Sequence, residues 1–187
     1  MPWKNGGGET REVIVSPPHA TLESLDWRIS LATVATDGPF SSFEGVERTL
    51  CVIRGAGIRL RVGDAPAAEL TTESSPFYFR GDAPVHASLV DGPIVDLNVM
   101  SRLGRAQHRV QRLRITGDYD INIAADVWVA FCLSGPLAAR TSDAVHELGV
   151  EDSLVIEEPA PLLRLSSSQV AEVCVVEICA SVSGNIR

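Results

Sequence analysis

The 187-residue sequence predicts an all-β sandwich or barrel built as two similar halves. Three observations carry that expectation: short β-rich runs, turn signals at regular intervals, and a faint internal repeat. Few windows keep apolar residues at i, i+3, i+4 and i+7 for three turns before a Gly or Pro intervenes, so helices are not expected.

Residues 28–32, 49–53, 58–62, 95–100, 128–133 and 173–178 are short, rich in β-branched residues, and read as strands. Asp37-Gly38-Pro39, Gly55-Ala56-Gly57, Asp91-Gly92-Pro93 and Ser134-Gly135-Pro136 read as the turns between them. The run TLCVIRGAGIRLRV (49–62), followed by SSPFYF (74–79) and VDLNVM (95–100), is matched by VWVAFCLSGPLAAR (127–140), EDSLVIEEP (151–159) and VCVVEI (173–178). Each half therefore offers a hairpin around a Gly turn, a loop, a strand pair and a closing strand. The expected boundary divides a first half, 1–105, from a second, mainly structural half, 106–187.

Apolar residues make up 45% of the chain, enough for a real core, and the formal net charge is -8. Such acidity argues against a nucleic-acid backbone or an anionic membrane as partner. No stretch has the ~18 uninterrupted apolar residues of a membrane helix, and no signal-like segment opens the chain, so a cytoplasmic protein is expected. Cys51, Cys132, Cys174 and Cys179 lie in apolar runs without a C-x-x-C pair and read as buried thiols. Five arginines in residues 101–114 read as a solvated connecting strand or loop, or as partners for acidic residues elsewhere. Contact of that segment with a protein partner is a further reading.

The usual catalytic signatures are missing. The glycines of WKNGGGETR do not follow a strand and open a helix, as a nucleotide-binding set would. His19, His86, His108 and His146 are scattered singly, which leaves no H-x-H pair for a metal, and there is no G-x-S-x-G. No metal and no cofactor are expected. His86 and Asp96 are the only candidates for acid–base work, and neither has an evident partner; His86 reads better as a strand histidine with a local hydrogen bond.

Strand alternation offers more. It sends Trp27, Ile29 and Leu31 to one face and Arg28 with Ser30 to the other; Val95, Leu97 and Val99 likewise oppose Asp96, Asn98 and Met100. Outward, such polar faces would be merely solvated. Inward, they form a hydrogen-bonding wall to which Arg48 adds a second guanidinium, and arginine forks match carboxylates.

The stretches MPWKNGGGETRE, WRISLATVATDGPFSSFEGVERTL, FRGDAPVHASLVDGP and DLNVMSR together resemble the HutD/Ves family of small bacterial proteins. That resemblance implies a cupin-type, two-barrel (bicupin) fold and a regulator of histidine utilisation that binds a small carboxylate, with N-formylglutamate or urocanate as leading candidates. A metal-independent cupin enzyme and a Ves-like protein are the alternatives. The family's motifs fall on Trp3, Lys4, Asn5, Gly6 and Gly7, on Trp27, Arg28 and Ser30, on Gly38, Pro39, Phe40, Ser41, Phe43 and Arg48, and on Asp96, Leu97, Asn98 and Met100. From these, the expected ligand-binding residues are Lys4, Asn5, Gly6, Arg28, Ser30, Phe40, Ser41, Phe43, Arg48, Asp96, Asn98 and Met100. Glu44 stands where the family usually has proline and Glu47 where it has aspartate, both on the expected rim. Met1 to Gly8 is expected to fold over the first barrel with Trp3 as an apolar plug. A monomer or homodimer is expected.

Overall fold

The computed structural model describes residue 3, residues 7–157 and residues 162–181. Among them there is no helix, hence none long and apolar enough to cross a membrane. Close backbone approaches divide the chain into two compact units, one running to Gln107 and taking back Ser181, the other His108–Ala180.

The first unit holds β1 (Gly8–Ser16), β2 (Trp27–Val34), β3 (Gly38–Pro39), β4 (Val46–Arg54), β5 (Ile58–Val62), β6 (Ala68–Leu70), β7 (Phe77–Arg80), β8 (Val85–Leu89) and β9 (Ile94–Arg102). One sheet runs β1-β2-β9-β4-β7 and the other β3-β8-β5-β6. Val34, Leu50, Val52, Phe79 and Ile94 of the first meet Ile58, Leu60, Leu70, Val85 and Ala87 of the second in one core. The second sheet alternates cleanly, since Arg59, Arg61 and His86 on its other face are exposed.

The two strands of 49–62 do not form the expected hairpin. β4 and β5 flank Gly55 and Gly57 but enter different sheets. Gly55 makes this corner possible: its φ is 97°, and a Cβ there would stand 2.6 Å from the Pro93 carbonyl oxygen. Gly38 and Pro39, expected as a turn, instead form β3 on the edge of the second sheet, where a proline costs no ladder bond.

The second unit contains all but the first two residues of β10 (Ala106–Ile121), with β11 (Val127–Ser134), β12 (Leu137–Arg140), β13 (Val145–Leu148), β14 (Ser153–Ile156) and β15 (Leu163–Ala180). The order is β13-β12-β15-β11-β14, with β10 also on β15. Here too the Gly-turn strands, β11 and β12, are not paired with each other. The halves share a finer mark: β4 slips register against β9 between Val52 and Arg54, and β11 slips against β15 between Cys132 and Ser134. Both bulges lie just ahead of the glycine corner, where a bend is needed.

Much of the arginine-rich segment belongs to β10. Before it, Arg102 donates to the Leu25 and Leu22 carbonyls, and Arg105 pairs with Asp26 at 3.0 Å. Cys51, Cys132 and Cys174 are buried, but Cys179 is exposed, because it lies near the end of β15 past the buried Ile178.

Candidate functional site

Pairing of β2 and β4 with β9 sets polar side chains in rows across the inner face of the first sheet. Arg28 and Arg48 both lie opposite Met100; Ser30 and Leu50 lie opposite Asn98; Ala32 and Val52 lie opposite Asp96. Residues opposite one another on neighbouring strands share a face, and this face also carries Val34, Leu50, Val52 and Ile94 of the core. Arg28, Ser30, Arg48, Asp96, Asn98 and Met100 are all buried. The other face of the same strands, with Trp27, Ile29, Leu31, Leu97 and Val99, is buried as well.

A buried guanidinium is costly unless it finds partners. Arg48 finds mostly aromatic ones: its guanidinium carbon lies 5.5, 5.3 and 5.0 Å from the ring centres of Phe40, Phe43 and Phe79, within the range of cation–π attraction. Its polar contact is thin, since Nε and one Nη donate at 3.4 and 3.3 Å to the same Asn98 oxygen. The loop carrying two of the rings is held by its backbone. Phe40 N–H donates to the Val85 carbonyl and Phe43 N–H to the Gly81 carbonyl. Gly81 is needed there because a Cβ would come within 2.8 Å of the Phe43 carbonyl oxygen.

Burial pulls Arg48 down to about 10 against the opposing pull of Asp96, so it stays cationic at neutral pH. Burial also lifts Asp96 from the usual 3.8 to about 7, and the Arg48 charge only partly offsets this. Ser30 Oγ is buried with no hydrogen-bond partner among the described residues. Arg28 is differently placed, because its Nε already donates to Glu12 of β1 at 2.9 Å. Glu12, Arg28, Glu9, Thr10 and Arg11 line an open concavity of about 540 Å³.

Six expected residues, Arg28, Ser30, Arg48, Asp96, Asn98 and Met100, therefore share one buried face, and Phe40 and Phe43 close over Arg48. Ser41 is exposed on its loop. Lys4, Asn5 and Gly6 lie outside the described residues. Trp3 does fold back: it packs against the first unit's core, and its indole N–H donates to Thr10 Oγ1 at 2.8 Å. His86 is exposed on β8, on the face of the second sheet turned away from the core, so it is not brought to Asp96. The inner face carries no imidazole, and among the described residues no group of three or more His, Cys, Asp or Glu is placed to hold a metal. A histidine-held metal, common in small barrels of this kind, does not fit these residues.

Sequence reasoning missed Phe79 and Glu12. Phe77 and Phe79 alternate with the exposed Tyr78, which would have marked them as inward. Glu12 gave no such signal, because GETRE carries too few apolar residues to read as a strand.

Antiparallel sheets without a helix among the described residues give the chain a cupin-like fold. In keeping with that, a cupin 2 conserved barrel domain protein from Leptotrichia buccalis superposes with a TM-score of 0.60 at 10% identity, covering 92% of this chain and 88% of that one. The chain belongs to the HutD family, whose model matches residues 1–175. An uncharacterized 21.2 kDa protein in the hutC 3' region of Pseudomonas putida is 31% identical over 179 residues, 95% of this chain and 91% of that one. Protein Ves of Citrobacter koseri is 39% identical over 110 residues, 58% of this chain and 56% of its own length. HutD from Pseudomonas fluorescens SBW25, solved in a formate condition, superposes with a TM-score of 0.83 at 32% identity over 96% of this chain and 92% of that one. A conserved protein of unknown function from Pseudomonas aeruginosa PAO1 gives 0.89 at 36% identity, covering 96% and 93%.

Proposed function

We propose that the protein binds a small carboxylate of histidine breakdown, N-formylglutamate or urocanate, inside its first unit, and that occupancy regulates histidine utilisation. The observation that carries this reading is Arg48: a buried cation ringed by three phenylalanines, whose only hydrogen-bond acceptor among the described residues is one amide oxygen. A guanidinium in that state lacks the carboxylate its fork is shaped for. Arg28, across Met100 on the same face, supplies a second cation roughly 10 Å away at two strand spacings, a separation that suits a dicarboxylate. The family relationship, and a relative named for its position beside hutC, support the link to histidine utilisation.

The second unit is read as a second barrel with a structural role. Trp128, which lies opposite Ile156 on β14 much as Arg48 lies opposite Phe79 on β7, is buried in a core of Leu, Ile, Val and Ala. The cation that reaches that face, Arg109, is largely exposed and already pairs with Glu177, opposite Trp128, at 3.6 Å. The chain is read as a cytoplasmic protein, with no step of catalysis assigned to it.

Titration calorimetry with N-formylglutamate, urocanate, glutamate and histidine tests the function. Binding of one of the first two is expected, with a loss of about 2–5 kcal/mol in Arg48→Ala while the melting curve stays cooperative. Absence of heat from all four with the native protein, or turnover of any of them, contradicts this reading.

A further inference from the structure

Asp96 is the least accounted-for group on the inner face. It is only 2% exposed, and its strand neighbours on that face, Ala32 and Val52, carry apolar side chains. Leu60, Ile58, Val85 and Ala87 of the opposing sheet are apolar. Among the described residues the charged groups on its face are Arg48 of β4, Arg28 of β2 and Glu12 of β1, and Glu12 is taken up by Arg28. Among the described residues only Arg48 acts appreciably on Asp96, and it hydrogen-bonds Asn98 rather than the carboxylate. Two residues along the face, Ser30 Oγ is buried without a hydrogen-bond partner among the described residues.

An anion arriving at Arg48 takes the one positive charge that keeps Asp96 ionised. Two carboxylates sharing one cation in a desolvated site do not both stay charged, and the weaker acid takes the proton. A neutral Asp96 then has an O–H to donate, and it needs an acceptor.

We propose that Asp96 takes up a proton when an anion binds at Arg48, and that the site therefore selects a carboxylate ligand carrying a second hydrogen-bond acceptor for the Asp96 O–H. The proposal rests on the carboxylate reading of Arg48 and adds to it a linked proton and a second polar seat, which Ser30 extends. The proton comes from solvent and ends on a carboxylate oxygen, with no bond broken in the ligand. Because burial holds the free protein's Asp96 near 7, uptake is small at pH 6 and approaches one proton by pH 8.

The test is calorimetry from pH 5.5 to 8.5 in buffers of different ionisation enthalpy. N-formylglutamate, which does not titrate in this range, and formate, which lacks the second acceptor, are the probes. In the native protein the N-formylglutamate Kd is expected to be flat below about pH 7 and to weaken nearly tenfold per pH unit above it. Asp96→Asn, which donates from an uncharged amide, should bind with a flat profile and no proton uptake, and the native preference for N-formylglutamate over formate should persist. A flat native profile with binding still lost in Arg48→Ala overturns the proton linkage and leaves the carboxylate reading standing. Loss of N-formylglutamate binding in folded Asp96→Asn overturns the proposal, since it would mean that the charge of Asp96 is required. Failure of both probes to bind native protein overturns the two readings together.

Discussion

Arg48 and Asp96 are a cation and an acid whose burial works against their charged forms. For Asp96 this has a sign that can be read in stability. Its folded-state value lies above the unfolded one, so its contribution is fully present below about 3.8 and is lost as pH rises through about 7. Removing the charge should therefore stabilise the protein on the alkaline side. Asp96→Asn is expected to melt higher than the native protein at pH 8, by an amount worth up to roughly 4 kcal/mol, with the gap closing as pH falls from 7 towards 4. Thermal melts across that range check it; an equal or lower melting temperature at pH 8 would show that the carboxylate is held by partners. Asp96 and Arg28 were legible in the sequence as members of a polar face, because the period of two in a strand is strict. Which way that face turns was not legible. The usual rule sends polar side chains to solvent, and here both faces of β2 and β9 are buried, so the rule has no purchase.

At the level of single strands, β1 is the element whose presence changes the site. Its Glu12 holds Arg28 through an ion pair in which the carboxylate is 45% exposed. A ligand carboxylate that reaches Arg28 meets Glu12 already bound at its Nε, so the strand acts as a competitor. Glu12→Gln is expected to tighten dicarboxylate binding roughly threefold, the scale of a partly exposed ion pair, and to leave formate binding at Arg48 unchanged; weaker dicarboxylate binding would mean that Glu12 positions Arg28 for the ligand. β1 escaped sequence reading because its charges break the alternation of apolar residues. The corner at Gly55 escaped for another reason: two strands around a glycine turn look alike whether they pair or part, and the difference lies in the distant Pro93 carbonyl that only a glycine tolerates. By contrast β2, β4, β5 and β9 were legible, since each is a run of β-branched and aliphatic residues bounded by turns.

Across the whole chain, each unit carries a bulge just ahead of a glycine corner, but the first has two sheets and the second one, and their buried faces differ in chemistry. The first keeps Arg48, Asp96, Asn98 and Ser30; the second is lined by Trp128, Ala130, Cys132 and their aliphatic neighbours. The proposed carboxylate site belongs to the first. The resemblance that pointed to a ligand named its chemistry through motifs such as DLNVMSR, but the phenylalanine ring around Arg48 is assembled from β7 and the loop before β4, segments that only the folded chain brings together. A crystal structure of the protein soaked with N-formylglutamate tests the account most directly. A carboxylate of the ligand should lie within hydrogen-bonding distance of the Arg48 guanidinium, between Phe40, Phe43 and Phe79, and Asn98 should hold or yield its contact accordingly. Density for the ligand only in the second unit, or at the outer surface with Arg48 still bonded to Asn98 alone, would contradict it.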